Sequence, residues 1–305
     1  VTIIVFTILY FSPGDPAYLA LGDNATPEAV EAYRVEMGIN GTYWERLGRT
    51  LGGLLKGDLG LSYRSRTPVL NELLVRFKVT FNISAWSIVL GIMLGIFFGI
   101  ISALKQNTLW DSLSTGCALF GISMPMFWQG LMLILVFSVW LGWFPIGLSV
   151  PIGAAADSVT VLERLHHAVL PALTLSITGV SSIALHTREK MVDVLESDYV
   201  LFARARGERL HAIVLRHGLR NVALPAITLQ FASVSEIIGG SVLVEQVFSY
   251  PGLGQAAVNA GLGSDLPLLL GITVITAAIV FAGNLAADLL YGVVDPKIRR
   301  GAARR

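Results

Sequence analysis

Five long apolar runs in this sequence contain only one Asp, Glu, Lys or Arg between them, and that residue is Glu236. A carboxylate at such a place is costly in hydrocarbon and by default faces protein or a water-filled cavity. Its chemistry is therefore either attraction of a cationic group or a hydrogen bond to a neighbouring helix. Gln230 and Gln129, polar residues inside two of the runs, are further candidates for the same wall. His166 and His167 are adjacent, and neighbours on a helix point about 100° apart, so the pair is a poor metal site. His186, His211 and His217 complete no ligand set. The single cysteine, Cys117, excludes a disulfide scaffold and any Cys-based zinc cluster. There is no G-x-x-x-x-G-K-[ST] phosphate loop, no H-E-x-x-H and no G-x-S-x-G. The reading is of a chain with no catalytic residues, no metal site and no bound cofactor.

The elements that must position Glu236 follow from composition. Of 305 residues, 54% are apolar and 14% charged, against roughly 45–50% and about 25% in a soluble domain, and the mean hydropathy is +0.67. Lipid is the expected solvent, and a net charge of +1 argues against a nucleic-acid partner. A hydrocarbon core of about 30 Å needs about 20 apolar residues. Complete spans are expected over 79–104, 112–140, 168–187, 221–244 and 266–287. Residues 1–11 read as the outer half of a first span that begins before Val1; a signal-peptide core is the competing reading, but no small-residue cleavage site follows. Counted from Asn221 at about 1.5 Å per residue, Glu236 lies roughly 22 Å into its span.

Basic residues in short loops set the orientation. The 188–220 segment carries Arg188, Lys190, Arg204, Arg206, Arg209, Arg216 and Arg220, and the tail carries Lys297, Arg299, Arg300, Arg304 and Arg305. With six spans these share a side with the 105–111 turn, so both termini are expected in the cytoplasm. Residues 12–78 then form an external, mostly helical cap. Thr26, Pro27 and Glu28 open one helix and Gly38 closes it. Trp44, Leu47, Leu51, Leu54 and Leu55 recur at helical spacing. Thr67 and Pro68 open a third helix, read either as lying along the membrane interface before the chain turns into the next span or as a core helix of the cap.

Two features bear on the spans themselves. Gly91, Gly95 and Gly99 put a smooth stripe on one helix face, suited to close helix packing. Pro125 is expected to kink the 112–140 helix.

The 188–220 loop is too structured for a tether. Ser197 and Asp198 can cap a short helix through Tyr199, Val200, Leu201, Phe202, Ala203, Arg204, Ala205 and Arg206, stopped by Gly207. A second follows through Leu210, Ile213, Val214 and Leu215 toward Pro225. Helices hinged at a glycine, apolar at intervals and rich in arginine, suit insertion into a groove on a cytoplasmic partner.

The run DYVLFARARG at 198–207, followed by RHGLRNVALP at 216–225, resembles the cytoplasmic coupling loop of binding-protein-dependent ABC transporter permeases, in the branch that imports dipeptides, oligopeptides and nickel. PGDP at 13–16, GDLGLS at 57–62, GISMPMFW at 121–128, VEQVFSYPGLG at 244–254 and DLLYGVVDPKIR at 288–299 are similar to the family in the same order. The positions that name the loop's Glu-Ala-Ala motif are Leu201, Phe202 and Ala203 here. The closing Leu-Pro is replaced by Leu219-Arg220, with Leu224-Pro225 coming later.

The resemblance implies the first of two permease subunits in a prokaryotic inner-membrane importer. It implies six transmembrane helices in an all-α fold and partition into a partial first span (1–11), an external segment (12–78) and a permease domain (79–305). The implied partners are a second permease, two ATPase subunits that hold ATP and Mg, and an extracytoplasmic solute-binding protein. Asp198 to Gly207 would couple the ATPases to the spans. Peptides are the leading cargo, and nickel or a metal chelate the runner-up. A stand-alone secondary transporter or channel is the rival class; it would call for inverted repeats or several intramembrane ionisable groups.

Overall fold

The computed structural model of the protein describes residues 1–12, 14–22, 24–154 and 159–294. The basic residues of the tail, the end of the 288–299 run and Pro13 of the 13–16 run lie outside the described residues. Among those described, every regular element is helical apart from one isolated antiparallel bridge between Leu61 and Pro68. The order is α1 (Thr2–Tyr10), α2 (Pro16–Leu21), α3 (Pro27–Glu36), α4 (Tyr43–Leu55), α5 (Val69–Leu104), α6 (Leu109–Ser123) and α7 (Met126–Leu133, continued by π-helical turns over Ile134–Trp140). There follow α8 (Val161–Leu195), α9 (Asp198–Ala205), α10 (Leu210–Ile213, continued by a π-helical turn over Val214–Gly218), α11 (Leu219–Ala232), α12 (Val234–Val247), α13 (Leu253–Leu262) and α14 (Leu266–Val294).

The chain divides into two compact units. The first comprises Val1–Phe81 with Ser249–Ile279, and the second Asn82–Phe248 with Val280 onward. In the first, local chemistry sets the short helices. Asp15 accepts from the Ala17 amide (2.9 Å) ahead of Pro16, and Thr26 accepts from the Ala29 amide (3.3 Å) ahead of Pro27; both are side-chain N-caps followed by proline at the first helical position. Gly38, at φ +64, ends α3 as expected. Phe6, Val30, Tyr33, Leu47 and Leu270 build one buried cluster, and Val69, Leu73, Leu253, Ala256 and Ile272 a second. Of the apolar residues expected to pattern α4, Leu47 is buried, whereas Trp44 and Leu55 are exposed.

Buried Asp265 joins distant segments within this unit. It accepts from Ser62 Oγ and the Arg64 amide (3.2 Å), while its other oxygen accepts from the Leu268 amide (3.3 Å) in the first turn of α14.

Among the described residues, three helices, α5, α8 and α14, are long and apolar enough to cross a membrane alone, and two more crossings qualify only as bent pairs. Two expectations change here. The helix opened by Thr67 and Pro68 does not turn before the next span: residues 69–104 form one uninterrupted helix, about 54 Å long at 1.5 Å per residue. No glycine or proline between Val69 and Leu90 supplies a break. Pro125, in contrast, does more than kink its helix. Met124 adopts the extended conformation (ψ 138°) favoured before proline, so α6 stops and the α6–α7 pair is bent by 117°.

In the second unit the glycine stripe does what its spacing predicts. A Cβ on Gly95 would lie 2.6 Å from the Ile183 Cβ, and one on Gly99 would lie 2.6 Å from the Thr187 Cβ. These distances bring the α5 backbone against α8 more closely than any side chain allows. More than half of the apolar window of α8 is buried (56%), against 33% for α5, so α8 is the more enclosed of the two.

Candidate functional site

The expected coupling element is a short, well-terminated helix. Ser197 has the extended backbone of an N-cap, but its hydroxyl turns back to the Val194 carbonyl and caps nothing. Asp198 supplies a negative charge in the first turn, where the helix dipole favours it. At the other end Gly207 takes φ +82, its amide bonds the Arg204 carbonyl (2.9 Å), and the Glu208 amide bonds the Ala203 carbonyl (3.1 Å). This pair of bonds is a Schellman closure, which requires a left-handed residue where glycine stands.

One face of α9 is buried and the other is bare. Val200 and Ala203 pack with Val194 of α8 and Ile213 of α10, so the helix is fixed to the elements before and after it. Tyr199, Leu201 and Phe202 are 46%, 66% and 72% exposed, Leu210 and Leu215 about half. Arg204, Ala205 and Arg206 are exposed beside them. The Arg206 guanidinium bonds Glu208 (2.6 Å) and holds that carboxyl below the usual carboxylate range. α9 is thus an ordered helix that leaves two large apolar side chains uncovered among arginines.

The boundaries of the loop differ from the sequence reading. Residues 188–195 continue α8 for two more turns. Arg188 is accordingly not a solvated loop charge: it grips Asp111 through two bonds of 2.6 and 2.7 Å. Asp111 is buried and also accepts from Ser102 Oγ (2.6 Å) and the Asn107 amide (3.0 Å). The 105–111 turn and the start of the 188–220 segment, expected on one side from the count of six spans, are thus bonded together. At the far end, Pro225 sits inside α11.

The three pathway candidates fall in different settings. Glu236 is exposed, in the first turn of α12. The helix breaks before it, at Ser233, with a bend of 57°, so the count of 15 helical residues from Asn221 does not describe its depth. The break also supplies what the sequence did not signal: a helix N-terminus beside the carboxylate, which favours negative charge. Gly239, Leu243 and Gln246 are exposed at the three- and four-residue steps that follow, so α12 presents one continuous uncovered face with Glu236 at its head.

Gln129 is buried, and its amide donates to the carbonyls of Gly121 (2.7 Å) and Met124 (2.9 Å). Those are acceptors left open where α6 ends. Gln230 is buried between α5 and α8. Cβ atoms on Gly91 and Gly179 would lie 2.7 and 2.9 Å from its Oε1, so glycine Cα–H groups face an oxygen that has no conventional donor among the described residues. His166 and His167 are likewise occupied. They bond the carbonyls of Trp143 (2.9 Å) and Leu148 (3.0 Å), pinning the 141–148 loop to the start of α8.

Fully buried Glu245 went unread in the sequence because it lies one residue past the expected end of its span. The signatures around it have local causes: Ser249 is left-handed (φ +48), and Phe248 O accepts from Leu148 N (2.9 Å).

Comparison with known proteins identifies the family. Residues 95–300 match the family model described as binding-protein-dependent transport system inner membrane component, and residues 1–84 match the N-terminal model of such membrane components. The oligopeptide transport system permease protein AppB of Bacillus subtilis (strain 168) is 37% identical over 98% of this chain and 94% of its own length. The dipeptide transport system permease protein DppB of Escherichia coli (strain K12) is 32% identical over 98% and 94%. The inward-facing MetNI methionine ABC transporter shares the fold, with a TM-score of 0.59 at 16% identity over 74% of this chain and 97% of that one.

Proposed function

Because this chain belongs to the family of binding-protein-dependent transport system inner membrane components, we propose that it is the peptide-translocating permease subunit of an ABC importer. The observation that carries the coupling role is helix α9, closed by Gly207, with Leu201 and Phe202 uncovered on its outer face. The names of the relatives favour peptides over nickel as cargo.

In this reading the chain pairs with a second permease, two ATPase subunits that bind ATP and Mg dock beneath α9, and an external binding protein delivers the peptide. The chain belongs to a six-span fold in which α1 contributes to the first span. Both termini are cytoplasmic, and residues 12–78 lie outside. Closure of the ATPases moves α9. Because Val200 and Ala203 are packed on Val194 and Ile213, α9 moves with the end of α8 and with the 210–232 segment. That segment ends at the Ser233 bend, directly before Glu236. The push therefore arrives where the uncovered face of α12 begins, and that face lines the pathway. Gln129 and Gln230 stand behind the wall, bracing the broken helix and the α5–α8–α11 junction.

Glu236 serves the cargo in this scheme by attracting its ammonium group. Glu236→Gln is expected to lower uptake of peptides with a free amino terminus several-fold in proteoliposomes holding the whole transporter, leaving ATPase stimulation in place. Unchanged uptake of every peptide would remove Glu236 from the pathway. Absence of ATP-driven peptide uptake by the unmodified transporter would remove the cargo assignment.

A further inference from the structure

The outer segment contains a cavity that neither coupling nor translocation uses. It measures about 330 Å3 and lies between the end of α3, α4, the 57–63 turn and the first turn of α14. Sites for small organic molecules start at roughly 300 Å3.

Its wall has three kinds of surface. Arg46 and Arg49, neighbours on one face of α4, supply guanidinium groups; Glu36 and Asp58 supply carboxylates; Leu54 and Leu270 are among its apolar residues. The charged groups are held by other partners and do not cancel one another. Arg49 Nη1 donates to the Gly38 carbonyl (2.9 Å), and a Cβ on Gly38 would lie 2.8 Å from that nitrogen, so the glycine makes room for the guanidinium. Arg46 lies over the Tyr10 ring at 5.1 Å. Glu45, one turn from Arg49, spends its carboxylate on the Thr42 amide (2.8 Å). One oxygen of Asp58 accepts from the Gly60 amide (2.9 Å), and Glu36 has only a loose contact with Arg66 (4.0 Å). Among the described residues, Arg46 and Arg49 form no ion pair within 4.0 Å.

Two cations, two anions and an apolar wall match a small zwitterion that carries a side chain. We propose that this cavity is a second peptide site, which takes free peptides of two or three residues. The peptide's terminal carboxylate meets Arg46 and Arg49 through charge-assisted hydrogen bonds. Its ammonium meets Glu36 and Asp58, and its side chains lie against Leu54 and Leu61. Occupancy ties α3, α4 and the 57–63 turn to the start of α14. The inference rests on peptide import and on residues 12–78 lying outside.

The test is equilibrium binding of radiolabelled alanyl-leucine to the whole transporter in nanodiscs, without its binding protein. Ala-Leu should bind, and its N-acetylated and C-amidated forms at least tenfold more weakly. Arg49→Gln should weaken binding at least tenfold, Arg49→Lys less, and Leu54→Trp should abolish it by filling the cavity. All three variants should keep uptake of peptide delivered by the binding protein within twofold of the unmodified transporter, which also shows that they fold. No binding, equal binding of the blocked peptides, or full binding by Leu54→Trp and Arg49→Gln would overturn the cavity's assignment while peptide uptake continued. Loss of uptake by the unmodified transporter would instead overturn the cargo reading on which it rests.

Discussion

At the scale of single residues, the side chain whose role changed most is Arg188. Counted as one basic residue among seven, it sets orientation; bonded twice to buried Asp111, it also holds the start of α6 on α8. Removing one partner of a fully buried pair costs about 3–5 kcal/mol. Here the cost is expected to be smaller, because 28% of the Arg188 side chain stays exposed. Asp111→Ala should therefore destabilise the chain measurably, as read by thermal unfolding of the detergent-solubilised transporter. Asp111→Leu combined with Arg188→Met should recover part of the loss, since no unpaired charge is then left behind. Glu236 shows the opposite economy: it stands exposed at a helix start, where the dipole eases its charge, and is free to meet something that is not part of this chain.

At the scale of elements, glycines decide two contacts of different kinds. On α5 they matter for space. Gly95→Leu would drive a side chain into Ile183 and the Val180 carbonyl; overpacking typically costs about 1–3 kcal/mol, and against backbone atoms more. Loss of assembled transporter on size-exclusion chromatography is the expected result. Gly116→Ala on α6 meets nothing within 4 Å and should leave assembly intact, which separates packing from loss of glycine as such. At the end of α9 the glycine matters for backbone angle. Gly207 has open space around it but φ +82, a region that β-branched residues avoid. Gly207→Val is expected to abolish ATPase stimulation by loaded binding protein in proteoliposomes while membrane insertion, read by carbonate extraction, is unchanged. Unchanged stimulation would remove α9 from the coupling path.

At the scale of the whole molecule, apolar run length found the membrane helices, because burying backbone in lipid forces long apolar segments. Run length does not encode where they break. Pro125 marked one break, but only the extended Met124 before it turns a kink into a bend of 117°. The bend at Ser233 has no proline, so nothing in the 221–244 run announced it. The continuity of α5 was hidden for a related reason: Arg76 and Lys78 read as a boundary, yet a helix carries charged residues in its course once it leaves the apolar layer. Helix α9 was legible to within a residue, since glycine closure is local. The ion pair of Asp111 and Arg188, 77 positions apart, was not. One consequence of the proposed arrangement concerns supply: in it, a copy of this chain made in excess of the ATPases would hold Leu201 and Phe202, 66% and 72% exposed, open to the cytosol. Such surfaces are what quality-control proteases and chaperones bind. Expression without the ATPase genes should thus shorten the chain's half-life in pulse-chase, and Leu201→Ser with Phe202→Ser should restore it.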